Sequence, residues 1–285
     1  MSRNILILLI AVFIFSSCEK LIQIETPQSL NSIVVETEIT TVKSQWEVSI
    51  TESQAYYDQS EPKNAISALV TISDDLGNID TLKYQGFSLF KTDSAKAAVP
   101  GRTYFLHIEY DGQEYDAMEY CRFQNDIDTF TAYFLPENNG FIEKGWYAFQ
   151  KSLESELEGD YYEWMIYKND TLQDQFGYVL DEDRNRDFSF FNLSIDADDP
   201  LAGLDDGILP RPFPFTFDPG DTIIMDQYCF GEGYYNFLIE LQNQQNRSGT
   251  PFDPPPANPI SNISNGAYGY FAVKNIVTAK TVIPL

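Results

Sequence analysis

Residues 102–123 read RTYFLHIEYDGQEYDAMEYCRF and contain a tight-turn signal between two strand-like runs. The turn is Asp111-Gly112, and an Asp-Gly pair in this setting is a strong short-range indication of a β-hairpin. The flanking runs, 102–110 and 113–123, are rich in aromatic and branched residues, which favour strands. The stretch therefore predicts an antiparallel hairpin and a mainly β fold class.

The chain before this hairpin has the same rhythm of short strands and turns. Its β-rich segments are 32–40, 46–51, 65–73, 79–84 and 87–90. Strands spaced about 8–12 residues apart, with turn residues between them, are typical of β-sandwiches. We therefore expect residues 31–125 to form an immunoglobulin-like β-sandwich of about seven strands. This expectation depends on strand rhythm alone, because the Cys…Trp…Cys pattern of antibody domains is absent.

Residues 126–285 are expected to form a second, β-rich domain with one packed helix. The helix is predicted over residues 233–246, where apolar side chains recur at helical spacing. These side chains are Tyr234, Phe237, Leu238 and Leu241. Ser248-Gly249 ends the helix, and the proline-rich run 250–259 excludes regular structure directly after it.

The charge of the chain limits its partners. The sequence has 285 residues and a formal net charge of −25. Such a surface repels nucleic acid and anionic lipid headgroups, so we expect no nucleic-acid partner. Simple solvation of an exported domain is the interpretation that we favour. Cation binding and a basic partner are the alternatives that the charge leaves open.

The N-terminus reads MSRNILILLIAVFIFSSCEK and has the layout of a secretory signal. Arg3 supplies the positive region, and residues 5–15 form an apolar run that is shorter than the roughly 20 residues of a spanning helix. We expect residues 1–17 to be a lipoprotein signal peptide, Cys18 to be lipidated, and residues 18–30 to be the tether. Acylation by two or more palmitate-type chains would give stable membrane anchoring. A simple secretory signal with a chance cysteine is the alternative.

Several short motifs of the chain are shared with a known family. They are Ser17-Cys18-Glu19-Lys20, 33–36, 70–75 with 77–78, 100–104, 160–162, 217–222, 241–244, 251–259 and 262–267. Together they resemble a Bacteroidota lipoprotein family known only as a domain of unknown function, whose genes often lie beside those of TonB-dependent receptors. The resemblance implies an outer-membrane lipoprotein with such a receptor as its partner. It supplies no catalytic or binding residues.

The sequence offers little catalytic chemistry. His107 is the single histidine, so Ser-His-Asp or Cys-His catalysis would have to use it. No phosphate-loop, Gly-x-Ser-x-Gly or His-Glu-x-x-His pattern occurs. Among 43 acidic residues, carboxylate pairs arise by chance. We therefore expect no enzyme activity, and an acid-pair hydrolase is the least favoured alternative.

One acidic loop has the ligand spacing of a calcium site. Oxygen-bearing side chains alternate at Asp181, Asp183, Asn185 and Asp187, and Ca²⁺ takes about 6–8 oxygen ligands. Arg186 stands where a calcium loop has its turn glycine, and the loop's arginines can neutralise its acids. We therefore favour a solvated turn and expect no cofactor, with Ca²⁺ as the alternative.

Aromatic residues on proline-rich loops are candidates for an interface. Phe213, Phe215 and Phe252 are each held among prolines, and loops carry a large share of binding residues. Exposed aromatic rings suit contacts with proteins or glycans. Core packing is the alternative for each of them.

The sequence also contains candidate residues for a disulfide and for O-glycosylation. Cys121 and Cys229 either form a disulfide in an oxidising compartment or remain two buried thiols, and their spacing does not decide between these states. Asp-Ser/Thr-apolar triplets resemble the O-glycosylation sites of exported Bacteroidota proteins. The four candidate sites are Thr81, Ser94, Thr171 and Thr222.

These observations predict a non-enzymatic outer-membrane lipoprotein. We expect it to be an accessory, ligand-capturing partner of a TonB-dependent receptor. A stand-alone surface adhesion or glycan-binding module is the alternative. The sequence leaves open whether the protein faces the cell surface or the periplasm, because Glu19-Lys20 is too short a cue.

Replacement of the predicted anchor residue tests the location of the protein. We expect Cys18→Ser to move the protein from the membrane fraction to the soluble fraction, since the acylated thiol would be the membrane attachment. Fractionation followed by immunoblotting measures the shift. Retention of the variant in the membrane would contradict the lipid anchor.

Overall fold

The computed structural model of the protein describes residues 32–54, 60–135, 144–152, 159–173, 180–181, 216–245 and 257–285. Within these ranges the chain is mainly β with one helix, as the sequence predicts. No helix within them is long and apolar enough to cross a membrane. The predicted signal peptide, Cys18 and the tether to residue 30 lie outside the described residues.

The strands are, in chain order, β1 (Ile33–Thr40), β2 (Glu47–Glu52), β3 (Leu69–Asp74), β4 (Ile79–Gly86), β5 (Leu89–Lys91), β6 (Thr103–Tyr110), β7 (Gln113–Tyr120), β8 (Ile127–Leu135), β9 (Gly145–Ser152), β10 (Asp160–Lys168), β11 (Thr171–Leu172), β12 (Leu180–Asp181), β13 (Thr222–Gly231) and β14 (Tyr268–Val282). Helix α1 (Glu232–Gln245) lies between β13 and β14. Its bounds agree with the predicted helix to within one residue at each end.

Most strands form one long hydrogen-bonded path. Its order is β11-β10-β13-β14-β1-β2-β5-β4-β3-β6-β7, with β12 also paired to β10, and β8-β9 is a separate pair. The predicted hairpin is present as β6-β7, in which Tyr110 lies opposite Gln113. Asp111 and Gly112 have φ values of 48° and 73°. A two-residue hairpin turn of type I′ requires a positive φ at both of its central residues.

Strand β14 joins the N-terminal strands to the C-terminal ones. Its first half pairs in parallel with β1, from Tyr268 opposite Val34 to Lys274 opposite Thr40. Its remaining residues pair antiparallel with β13. The predicted domain division at residue 126 stays a prediction. In the structure, β14 is hydrogen-bonded directly to β1, so strands from both predicted domains belong to one sheet.

A buried apolar cluster is enclosed by β1–β7 and the start of β14. Its members include Ile33, Val48, Val70, Leu106 and Phe271. Strands β7 and β14, which lie far apart along the path, also contact each other. This part of the path therefore folds back around the first cluster, and the detailed immunoglobulin-like topology stays a prediction.

The two cysteines lie in different apolar clusters. Cys121 belongs to the first cluster, and Cys229 belongs to a second one formed mainly by β10 and β13. Both are buried and are not joined to each other by a disulfide, and the Cys229 thiol donates to the Phe123 carbonyl over 3.7 Å. Burial raises the pKa of the Cys121 thiol to about 12, so this thiol remains protonated at neutral pH.

Thiol titration checks this arrangement. We expect both Cys121 and Cys229 of the Cys18→Ser variant to react with a chromogenic thiol reagent after unfolding without reductant, because they lie in different clusters and form no disulfide with each other. The same titration after reduction is the control. A gain of two thiols on reduction would instead indicate a disulfide between these residues.

The parallel pairing of β1 and β14 depends on a glycine. Gly269 has a φ of +97°, and a Cβ atom at this position would lie 1.9 Å from the carbonyl oxygen of Val35. No side chain fits at that distance from a strand backbone. Gly86 has a similar φ of +99°, but a Cβ atom there would meet nothing within 4 Å.

These two glycines form a matched pair for a stability test. We expect Gly269→Ala to lower the free energy of unfolding by about 3 kcal/mol or more, because the new methyl group collides with the β1 backbone. Gly86→Ala should cost only about 1–2 kcal/mol, the price of a left-handed alanine. Urea unfolding of both variants measures the difference, and equal losses would contradict the role of close strand approach.

Candidate functional site

One face of the sheet beside β1 carries charged and aromatic side chains together. Ile33, Val35 and Ile39 of β1 are buried in the first cluster, and successive side chains of a strand point to opposite faces. Glu36 and Glu38 therefore lie on the other face, where both are exposed.

Strand register extends this face across the neighbouring strands, because paired residues lie on the same side of a sheet. Glu36 pairs with Tyr270 of β14, four residues before Lys274. Tyr228 of β13 pairs with Glu163 of β10, and both contact the Lys274 ammonium group. The face is therefore continuous over β10, β13, β14 and β1.

Helix α1 packs on this face. The Tyr234 ring contacts the rings of Phe230 and Tyr270, with centroid separations of 5.1 and 5.3 Å, and Phe237 contacts Tyr270 at 5.3 Å. A Cβ atom on Gly233 would lie 2.3 Å from the Tyr270 hydroxyl oxygen. The glycine therefore allows the first turn of the helix to approach the sheet closely.

An open groove with a volume of about 1130 Å³ lies between α1 and β1. Strands β1, β2, β10 and β14 form its floor, and α1 forms one wall. Its aromatic and large apolar lining includes Phe237, Leu238, Leu241, Tyr268 and Tyr270. The helical spacing that predicts α1 therefore also places its apolar residues along the groove.

Lys274 is the buried cation of the groove, with a side chain that is only 4% exposed. Its Nζ atom lies 3.0 Å from Glu38 Oε1 and 3.5 Å from Glu163 Oε2. Three ring centroids also surround Nζ, namely Tyr234 at 4.8 Å, Tyr228 at 5.3 Å and Phe230 at 5.8 Å. Carboxylates and aromatic faces both attract cations, so this surface is built to hold an ammonium group.

Two tyrosine hydroxyls beside the groove donate hydrogen bonds to carboxylates. Tyr234 donates to Glu38, and Tyr270 donates to Glu119 over 3.0 Å. Burial, and then the adjacent carboxylate, raises the pKa of both tyrosines well above the ordinary value. Burial also raises the pKa of Glu119. The two tyrosine hydroxyls therefore stay protonated near neutral pH.

Carboxylates outnumber ammonium groups in the lining. Its charged residues are Glu36, Glu38, Glu47, Glu163 and Lys274. Glu47 is paired with Lys91. The Glu36 side chain, in contrast, has no ion pair or hydrogen bond with the part of the chain that the structure describes. Among the described residues, Glu36 is thus an accessible carboxylate of the groove without a side-chain partner.

Most of the metal and interface residues predicted from the sequence fall outside the described ranges. These are Asp183, Asn185, Asp187, Phe213, Phe215 and Phe252. Asp181 ends β12, where its backbone pairs with Tyr161. Among the described residues, no group of three or more His, Cys, Asp or Glu side chains is arranged to hold a metal ion. The calcium loop and the aromatic interface stay predictions.

The four candidate glycosylation residues differ in exposure. Thr81, Ser94 and Thr171 are exposed. Thr222 is half-buried at the start of β13, and its backbone N–H donates to Asn169 Oδ1. Because a glycosyltransferase needs an accessible hydroxyl, the first three are the better placed sites, and their use stays a prediction.

His107 lies on β6 between two carboxylates. Its Nδ1 atom is 2.7 Å from Asp116 Oδ1, and its Nε2 atom is 3.4 Å from Glu109 Oε1. The hydrogen bond with Asp116 raises the pKa of the imidazole above its ordinary value. A base for nucleophilic catalysis needs a hydroxyl or thiol within reach, whereas the ring nitrogens of His107 face acids.

The charged and aromatic residues that meet in the groove are not recognisable as a functional site from the sequence alone. Glu163 and Lys274 are 111 positions apart, and Glu38 and Tyr234 are 196 positions apart. One local signal was available, since a lysine directly follows the apolar run 271–273 in a strand-like stretch. Lysine is rarely buried unless it is paired, so its position there indicates a specific partner.

Comparison with known proteins gives a family but no activity. No curated protein and no solved structure shows a significant match. A family model described as a domain of unknown function, DUF4249, matches residues 19–280. That range covers nearly the whole sequence and begins directly after Cys18. The chain therefore belongs to the DUF4249 family.

Proposed function

We propose that the protein is a non-enzymatic outer-membrane lipoprotein that captures a ligand for a TonB-dependent receptor. The groove between α1 and the β1-β14 floor is the observation that carries the capture role. At about 1130 Å³ it is larger than the clefts of about 300–1,000 Å³ that hold most small molecules. Its lining combines aromatic rings, aliphatic side chains and charges, which is the composition of a recognition surface.

The membrane anchor is proposed from the N-terminal sequence. A charged start, a short apolar run and a cysteine at the cleavage point are arranged as in lipoprotein signals. The family match starts at residue 19, so residues 1–17 lie outside the matched region. This agreement supports processing before Cys18, and the membrane face that the protein occupies is left open.

The receptor partner is proposed from the resemblance to lipoproteins encoded beside TonB-dependent receptors. A stable complex needs an interface of about 1,200–2,000 Å² with aromatic residues at its centre. Phe213, Phe215 and Phe252 are the residues proposed for that contact. Phe252 belongs to the segment between Gln245 and Ala257, and groove residues precede and follow that segment in the chain.

A stand-alone glycan-binding module is the second candidate. It is favoured by the aromatic residues of the groove, since rings such as Tyr268 can stack on sugars while carboxylates accept hydroxyl hydrogen bonds. The two candidates differ in one simple respect, because only the first requires a receptor partner.

Affinity purification from the native membrane tests the proposal. The tag is placed after Leu285, which is fully exposed. We expect a TonB-dependent receptor to co-purify in stoichiometric amount after mild-detergent extraction, identified by mass spectrometry. The tagged Cys18→Ser variant is the matched control and should recover less receptor, because it lacks the membrane anchor.

A membrane-bound protein that is purified alone would contradict the receptor role. It would favour the stand-alone module, which then calls for screening against surface glycans.

A further inference from the structure

We propose that the groove binds an extended, basic oligopeptide with lysine or arginine side chains at alternate positions. This inference rests on the proposed capture role and names the class of ligand. It follows from the length of the floor, the spacing of its carboxylates and the way the protein holds its own lysine.

The floor has the length of a short extended peptide. Tyr268 and Lys274 both line the groove and lie six positions apart on β14. At about 3.3 Å per residue in a strand, this separation is about 20 Å. An extended peptide of about six residues spans the same distance. The groove is therefore matched to an oligomer rather than to a single amino acid.

The carboxylates of β1 repeat with the period of an extended chain. Glu36 and Glu38 are two positions apart on one strand face, which places them about 6.6 Å apart along the strand. The side chains at alternate positions of an extended peptide have the same spacing. Two basic side chains of one peptide can thus reach two glutamates at the same time.

Lys274 shows how this surface recognises a cation. Its ammonium group is held by Glu38, Glu163 and the faces of three aromatic rings. Within the described residues, the Glu38 carboxylate uses its Oε1 atom for both Lys274 and the Tyr234 hydroxyl. Glu38 is 48% exposed, so its second oxygen remains for a ligand. Glu36 is unpaired within the described residues and offers both of its oxygens.

The helix wall supplies sites for the intervening side chains of the peptide. Phe237, Leu238 and Leu241 lie along the groove opposite the acidic strand. A peptide whose basic side chains point toward β1 would direct its alternate side chains away from it, toward this apolar wall. The groove therefore favours basic and apolar residues in alternation.

A neutral oligosaccharide fits these contacts less well. Sugars stack on exposed aromatic faces, but the Tyr234 and Tyr270 rings are buried and pack on each other and on Phe237. An uncharged ligand would also leave the carboxylates of Glu36 and Glu38 without a counter-charge. Carboxylates are best compensated by cationic donors, whose hydrogen bonds are the stronger ones.

Isothermal titration calorimetry on the full-length protein in mild detergent tests the inference. The probe is the blocked hexapeptide acetyl-KAKYKA-amide, and acetyl-QAQYQA-amide is its uncharged counterpart. We expect the basic peptide to bind at least about tenfold more tightly, and its affinity to fall as NaCl rises from about 50 to 300 mM, because exposed charges are screened by salt. Equal binding of both peptides, or no binding of the basic one, would overturn the inference.

Single charge-removing variants locate the site. Glu36→Gln should raise the Kd of the basic peptide about three- to fivefold, and the added Glu38→Gln should raise it further. Glu114→Gln is the matched control, since Glu114 is an exposed strand glutamate on β7 outside the groove. The Glu36 side chain is exposed and has no ion pair or hydrogen bond with the described residues, so we expect its variant to fold normally and to report on binding. An unchanged Kd for Glu36→Gln would remove the groove as the site.

Peptide binding and receptor co-purification can succeed or fail independently of each other. Peptide binding without a co-purifying receptor would support the groove as a peptide site and contradict the receptor partnership. A co-purifying receptor without peptide binding would support the partnership and overturn the peptide ligand. Tight binding of a neutral oligosaccharide in place of the peptide would also overturn it.

Discussion

The parallel pairing of β14 with β1 is the constraint on which the rest of the structure depends. It brings the last strand beside the first at a distance that only Gly269 permits. Asn262 fixes the same strand, since its side chain both donates to and accepts from the backbone of Phe271, each bond being 2.9 Å long. Because β14 continues along β13, this one pairing connects the first core to the C-terminal strands and creates the floor of the groove.

A buried amide network holds the register of that junction. Gln227 of β13 accepts from the Trp164 indole and donates to Gln124, each over 2.9 Å, while Gln124 donates to the Asn275 carbonyl over 2.9 Å. A shift of β14 by one residue would break the bond from Gln124 to the Asn275 carbonyl and the 3.1 Å bond from the Asn275 side chain to the Arg122 carbonyl, at a cost of about 1–3 kcal/mol each. It would also turn Lys274 to the opposite face of the sheet. The position of the buried cation is thus a consequence of strand register.

Local features of this fold were predictable from sequence, and non-local ones were not. Asp111-Gly112 specifies a hairpin through the φ values of two adjacent residues, and α1 follows from apolar spacing within one segment. The groove requires residues of β1, β10, α1 and β14 to meet, and no local pattern encodes a parallel pairing across more than 230 positions. One signal is visible in the sequence, because Lys274 directly follows the apolar run 271–273.

The burial of Lys274 is better explained by recognition than by stability. A buried ion pair often contributes no more than a well-packed apolar side chain would, because desolvation offsets the Coulomb attraction. An apolar residue beside Tyr234 and Phe230 would therefore serve the core equally well. Lys274 instead partly neutralises Glu38 and leaves Glu36 as the stronger attractor for a cation. Attraction limited in this way suits the proposed capture role, since a ligand held by every carboxylate at full charge would dissociate slowly.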